Sequence, residues 1–145
     1  EVFYGTFLFS FLNIVQLSTI GTKIAYRWVL LRHIGSPDDM KGIHFDFLLE
    51  DKEFCRTWRL SDIPLLDGTY VDSVYIAPHN LQWLDIEEKV VSGNRGFARR
   101  IKQGNFFQSL PLIESGFINL SLIWDQLEVH MAIDEKGCRI FSKKN

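Results

Sequence analysis

The stretch Gly42-Ile43-His44-Phe45-Asp46-Phe47-Leu48-Leu49-Glu50 alternates between two kinds of position. A period of two predicts a half-buried β-strand. Ile43, Phe45, Phe47 and Leu49 then share one face; His44, Asp46, Leu48 and Glu50 share the other. Upstream, Arg27 to His33 is rich in β-forming residues, and Gly35-Ser36-Pro37-Asp38-Asp39 reads as a loop. Downstream, Asp51-Lys52 makes a turn and Phe54 to Leu60 returns, which predicts an antiparallel hairpin. Pro64 and Asp67-Gly68 end that unit. Val71 to Ala77 is a further short strand, capped by Pro78-His79. A Gly-bearing bend, Ser92-Gly93-Asn94-Arg95-Gly96, leads into Phe97 to Lys102, and Gly104 closes that strand. Alternation resumes at Ile118, Leu120 and Leu122, and again at Leu127, Val129 and Met131. A Lys136-Gly137 turn precedes a last strand, Cys138 to Ser142. Many short strands with frequent turns predict an all-β fold, a small and mostly antiparallel barrel, closed or partly open.

The 145 residues suffice for one domain with a substantial core, and 46% hydrophobic against 23% charged residues describes a globular chain. The net charge of −2 gives no global basic field, so contact with nucleic acid would need a local patch. Cys55 and Cys138 have neither zinc-site spacing nor a disulfide framework. They are expected to be free thiols of a reducing, cytoplasmic setting. Residues 2–22 carry no charge and are long enough to span a membrane, but Thr6, Ser10, Asn13, Gln16, Ser18 and Thr19 interrupt them. A signal peptide would carry a positive leading region, which is missing here. Residues 1–25 are therefore read as an apolar extension and 26–145 as the barrel domain. No contact with a membrane is expected unless residues 2–22 form an anchor.

His44 and Asp46 stand two apart on one strand face, about 6–7 Å apart at the backbone. Taken alone, such a pair is usually part of a solvated face. His33 and His79 stand at the ends of other strands and change that weighting. Two imidazoles and a carboxylate with open positions suit manganese, iron(II) or zinc. With His33, His44 and His79, Asp46 forms a candidate mixed nitrogen and oxygen site.

The order of these motifs resembles the 3′-phosphoesterase domain of bacterial DNA ligase D. That family has an Arg-Phe-Val-Val-Gln-Lys-His strand, and Arg27 to His33 reads Arg-Trp-Val-Leu-Leu-Arg-His. Its His-Tyr-Asp-x-Arg-Leu-Glu is matched by His44 to Glu50, and its Lys-Ser-Trp-Ala-Val-Pro by Arg56-Thr57-Trp58-Arg59-Leu60-Ser61. Its Glu-Asp-His-Pro-Leu-Asp-Tyr is similar to Ala77 to Trp83. The resemblance covers about residues 26 to 144. It implies a β-barrel and a manganese-dependent enzyme that removes 3′-phosphate or 3′-ribonucleotide from DNA ends. Counterparts of His33, His44 and Asp46 bind the metal, and the counterpart of His79 contacts the phosphate.

The chain departs from the family at several positions. The Arg after the family's His-x-Asp is Leu48, a Lys is Asp62, the Glu before the His is Ala77, the Tyr is Trp83, and the loop between His33 and His44 is longer. Losing two phosphate-binding cations removes charge-assisted donors. Arg56, on the face of Trp58, is expected to supply a replacement, with Arg99 and Arg100 as further candidates, and Asp62 should point away or bind metal. Arg95, Arg99, Arg100 and Lys102 are expected to form a basic strip along the DNA backbone. Two rival readings stand beside this one. The first is a non-catalytic module that binds metal or nucleic acid. The second is an iron(II) oxygenase whose facial triad would add His130 to His44 and Asp46.

Overall fold

The computed structural model describes residues 24–143, and all but the end of the apolar extension lies outside them. Nine strands follow one another: β1 (Tyr26–Ile34), β2 (Ile43–Asp51), β3 (Phe54–Leu60), β4 (Ser73–Asn80), β5 (Glu88–Val90), β6 (Phe97–Phe106), β7 (Ile118–Trp124), β8 (Leu127–Asp134) and β9 (Gly137–Ser142). One 3-10 turn, Leu81–Leu84, joins β4 to β5. Every strand pair is antiparallel, in the order β4-β3-β2-β1-β6-β7-β8-β9, with β5 added on β6. The expected all-β class is observed. The sheet curls into a partly open barrel. Its edges β4 and β9 meet through the segment between β3 and β4, where Val71 exchanges two backbone hydrogen bonds with Cys138, of 2.9 and 2.8 Å.

Curling gives the sheet an inner and an outer face, and alternation decides which residues see which. The inner face collects Trp28, Leu30, Phe45, Phe47, Leu49, Trp58 and Leu60 against Leu122, Trp124, Met131 and Ile140. The outer face of β1, β2 and β3 carries a smaller cluster of Val29, Leu31, Leu48 and Cys55, covered by Leu84 of the 3-10 turn. Asn80 caps that turn by accepting from Gln82 N at 2.9 Å. Six consecutive residues of β2, His44 to Leu49, are consequently buried. A half-buried strand was expected here; the strand is covered on both sides.

Several element ends differ from expectation: β2 runs through Asp51, so the turn is Lys52-Glu53 and not Asp51-Lys52, and β4 begins at Ser73 and not at Val71, which instead bridges to Cys138. Two further ends differ for clear physical reasons. β4 runs through Pro78 and His79 and does not stop there. It is an edge strand, where a missing N–H leaves no ladder bond unmade. β6 runs through Gly104 because β1 and β7 crowd that point. A Cβ on residue 104 would lie 2.3 Å from Ile123 O and 2.7 Å from Trp28 Nε1.

Among the described residues no helix is long and apolar enough to cross a membrane. Both cysteines are free and fully buried, Cys55 under the outer cluster and Cys138 in the inner core. Burial pushes both thiols up to about 12. Neither should react with a disulfide reagent such as Ellman's at pH 8 in the native protein, and both should react in denaturant. A stoichiometric native reaction within minutes would contradict this packing.

Candidate metal centre

The β1–β2 register sets His33 directly opposite His44, with ring centroids 4.7 Å apart. Asp46 is two residues further along β2 on the same outer face, and β3 places Arg59 opposite it. His79, on β4, reaches back over that face. Four side-chain nitrogens thereby surround one carboxylate. His33 Nδ1 lies 3.7 Å and His79 Nε2 3.8 Å from Asp46 Oδ2; His44 Nε2 lies 3.4 Å and Arg59 Nε 3.9 Å from Oδ1. His44 and Asp46 are each 3% exposed, so their face is not the solvated one that a strand pattern alone suggests. His33, Asp46, Arg59 and His79 border a cavity of about 360 Å³, also walled by Asp38, Trp83, Arg95 and Ala98, with His44 packed behind Asp46 and not on the cavity wall.

The outward nitrogen of each imidazole is fixed by an acceptor. His33 Nε2 donates to Arg95 O at 2.7 Å, His44 Nδ1 to the Asp39 carboxylate at 2.9 Å, and His79 Nδ1 to Ala77 O at 3.3 Å. A carbonyl or an ionised carboxylate only accepts, so these nitrogens carry the protons. In the neutral rings the lone pairs of His33 Nδ1, His44 Nε2 and His79 Nε2 therefore point at Asp46. Such outer partners set the tautomer of a metal-binding histidine.

Two loops supply the partners. The β1–β2 loop closes through Gly35 N to Gly42 O at 3.0 Å, and Lys41 N binds Asp39 Oδ1 at 3.1 Å, which holds Asp39 against His44. The longer loop between His33 and His44 thus carries a supporting carboxylate. The bend before β6 presses on the end of β1 through Gly96. This residue has φ +90°, and a Cβ there would sit 2.0 Å from Ile34 O. The approach is open only to glycine, and it delivers Arg95 O to His33.

Electrostatics couple the group. Attraction to Asp46 raises the pKa of His33 above its ordinary 6.5, against opposing desolvation. Burial works to raise Asp46, but His33 and His44 outweigh it and hold the carboxyl far below the usual range. Interaction with His44 lowers Asp39. His44 Nε2 and Asp46 Oδ1 are buried without a hydrogen-bond partner among the described residues. Buried polar atoms of this kind normally have partners, and a cation between them would supply one. The ligand atoms of His33, His44 and Asp46 all lie within 4.8 Å of one another. The donor set and its orphaned atoms fit a divalent ion.

Other expected site residues lie elsewhere. Arg56 is on the wrong face. It sits opposite Leu49, an inner-face residue, donates to Asp51 Oδ2 at 2.6 Å and binds Pro111 O. Counting outward from the two-residue turn after Asp51 pairs Asp46 with Arg59, so the sequence held that signal. Asp62 points away as expected, accepting from Ile63 N at 2.7 Å, and is not a wall of the cavity. Leu48 lies in the outer apolar cluster. The expected basic strip is not continuous. A β-bulge between Leu30 and Leu31 puts Arg100 opposite Leu31 but Lys102 opposite Leu30, on the other face, which Arg99 shares. Arg99 pairs with Glu88, Arg100 with Glu87 and Lys102 with Asp125. Of the four, Arg95 reaches the cavity. His130 packs on Phe141, at 5.0 Å, away from His44, so the facial triad required for an oxygenase is not formed.

No model of a known protein family matches the sequence, and no curated protein does. The fold and site define a class: a curled antiparallel β-barrel protein with a His-His-Asp group that could hold a metal ion on its outer face.

Proposed function

We propose that this chain is a divergent metal-dependent phosphoesterase that removes 3′-phosphate or 3′-ribonucleotide from DNA ends, with manganese as its ion. One observation carries the reading: a fixed imidazole, His79, and a guanidinium, Arg59, face the same carboxylate as the two imidazoles of the metal group. The motif order shared with the ligase D phosphoesterase domain supports it. His33, His44 and Asp46 would hold the ion, which when bound supplies Lewis acidity at a phosphate oxygen and lowers the pKa of water. His79 Nε2 faces inward with Nδ1 tied to Ala77 O, a placement suited to hydrogen-bonding a phosphoryl oxygen or protonating the leaving oxygen. Trp83, 6.4 Å from His79 between ring centroids, offers an aromatic wall beside it.

A second reading, a non-catalytic metal-binding module, is favoured by Leu48 and by the carboxylate pairing of Arg99, Arg100 and Lys102. Manganese-dependent phosphate release from a 3′-phosphorylated DNA end separates the two. Under the enzymatic reading, His44→Ala lowers turnover by about 10³-fold or more, as loss of a group acting in the transition state does. Equal phosphate release from wild type and His44→Ala would leave only the module.

A further inference from the structure

We infer that Arg59 is the residue that recognises the terminal phosphate in this cavity. The inference rests on the phosphoesterase reading and names the group that selects its substrate. A phosphate monoester brings up to two negative charges to a wall that already holds Asp46 and Asp38. One divalent ion would offset only part of that charge, so a further cation must come from the protein. Leu48 is apolar and sealed in the outer cluster, and Arg56 is on the opposite face.

Two cationic side chains remain on the cavity wall, Arg59 and Arg95. Arg95 is folded back on its own turn, with Nε donating to Ser92 O at 2.7 Å and Nη2 to Ser92 Oγ at 3.4 Å. Arg59 is not satisfied in this way. Its Nε is buried and has no hydrogen-bond partner among the described residues. Its ionic contacts are loose: Nε to Asp46 Oδ1 at 3.9 Å and Nη1 to Asp38 Oδ2 at 3.7 Å, both beyond hydrogen-bonding distance.

Position selects it as well. Arg59 Nε and His44 Nε2 lie within 4 Å of the same Asp46 oxygen, so a group held beside the metal ligands is within reach of the guanidinium. The side chain is 30% exposed and borders the cavity, with its Nε buried. A guanidinium presents paired N–H donors that match two phosphoryl oxygens. Arg59 also sits directly opposite Asp46 in the β2–β3 ladder, so its backbone is rigidly referenced to the metal group.

The test uses the manganese-loaded chain and labelled DNA duplexes ending in 3′-phosphate or 3′-hydroxyl. Affinity is read by fluorescence anisotropy, phosphate release by kcat/KM, and manganese binding by electron paramagnetic resonance. Arg59→Ala should lower the preference for the phosphate end by about 10- to 100-fold and kcat/KM by about 10²- to 10³-fold. Manganese affinity should change by less than about threefold, smaller than the loss seen when a partner of a metal ligand is removed. Arg59→Lys, which keeps a charge without the fork, should fall between wild type and alanine. Thermal melts establish that both variants are folded. If Arg59→Ala keeps the wild-type preference, the inference is overturned; loss of turnover in His44→Ala would still uphold the phosphoesterase reading. If no form turns over but the preference depends on Arg59, hydrolysis is refuted and the recognition role stands. A wild type without preference for the phosphate end overturns the inference, and the phosphoesterase reading falls with it only if that wild type also releases no phosphate.

Discussion

Asp46→Ala is expected to weaken divalent-metal binding by at least about 100-fold, more than any neighbouring substitution. Removing an outer partner of a metal-binding histidine costs about 10- to 100-fold, and Asp46 is a ligand candidate itself. Among the described residues it is the one carboxylate that lies within 4 Å of all four of His33, His44, His79 and Arg59. Without it the two imidazoles face each other with no anionic donor between them, and Arg59 keeps only its contact with Asp38. Asp39→Ala should give the smaller loss, about 10- to 100-fold, because it frees the His44 ring without removing a ligand. Calorimetric titration of manganese and zinc checks both values. Equal losses from the two variants would mean that Asp46 is not a ligand. The affinity should also depend on pH. Asp46 raises the pKa of His33, so the proton on Nδ1 competes with the ion. Wild-type affinity should climb as pH rises through and above 6.5, the ordinary value for that ring. In Asp46→Ala the climb should shift to lower pH, since the source of the raised pKa is gone.

Trp28→Ala should cost about 3–5 kcal/mol of folding stability. Trp28 is fully buried and stacks on Trp124 with centroids 4.9 Å apart and planes 11° apart. It touches Phe47 across the inner face, at 5.7 Å, and its Nε1 donates to Ile123 O at 3.1 Å. One side chain therefore ties β1, β2 and β7 together over the gap where β6 and β7 pair narrowly. Truncation leaves a cavity lined by rings that cannot easily collapse, and strands an accepting carbonyl. Urea unfolding should show a lower midpoint with an unchanged slope. Trp28→Phe keeps much of the packing but loses the donor, and should cost about 1–3 kcal/mol. A loss below about 1 kcal/mol for the alanine variant would show that the inner core does not depend on this stack.

The parts of the fold that could be read from the chain were those governed by local rules. Alternation from Ile43 to Glu50 and at Ile118 to Met131 marked strands because side chains on a strand change face at every residue. The turn read at Asp51-Lys52, one residue ahead of its observed place, marked the β2–β3 hairpin in the same way. Arg56 shows where such reading slipped. Its face follows from parity within the hairpin, and parity puts it with Trp58 and Leu60 on the inner side, while Arg59 falls opposite Asp46. The bulge opposite Leu30 and Leu31 had no comparable signal. One extra residue reverses every side chain beyond it, which separated Lys102 from Arg100.

By itself the sequence determined an all-β chain and put His44 and Asp46 on one face of one strand, because both follow from a repeat of two residues and nothing more distant. A small barrel could be expected from many short strands, but the strand order that sets β1 beside β6 was beyond it, and so was the cover over the outer face. Only the tertiary structure brought Arg95 O, from beyond β5, to His33, and Asp39 and Ala77 O to the other imidazoles. These contacts depend on how loops with no periodic pattern pack against a curved sheet. They join residues as far apart as 33 and 95, which no local spacing records. Burial followed from the same packing, turning a polar strand face that would otherwise meet water into a site whose polar atoms are left facing one another.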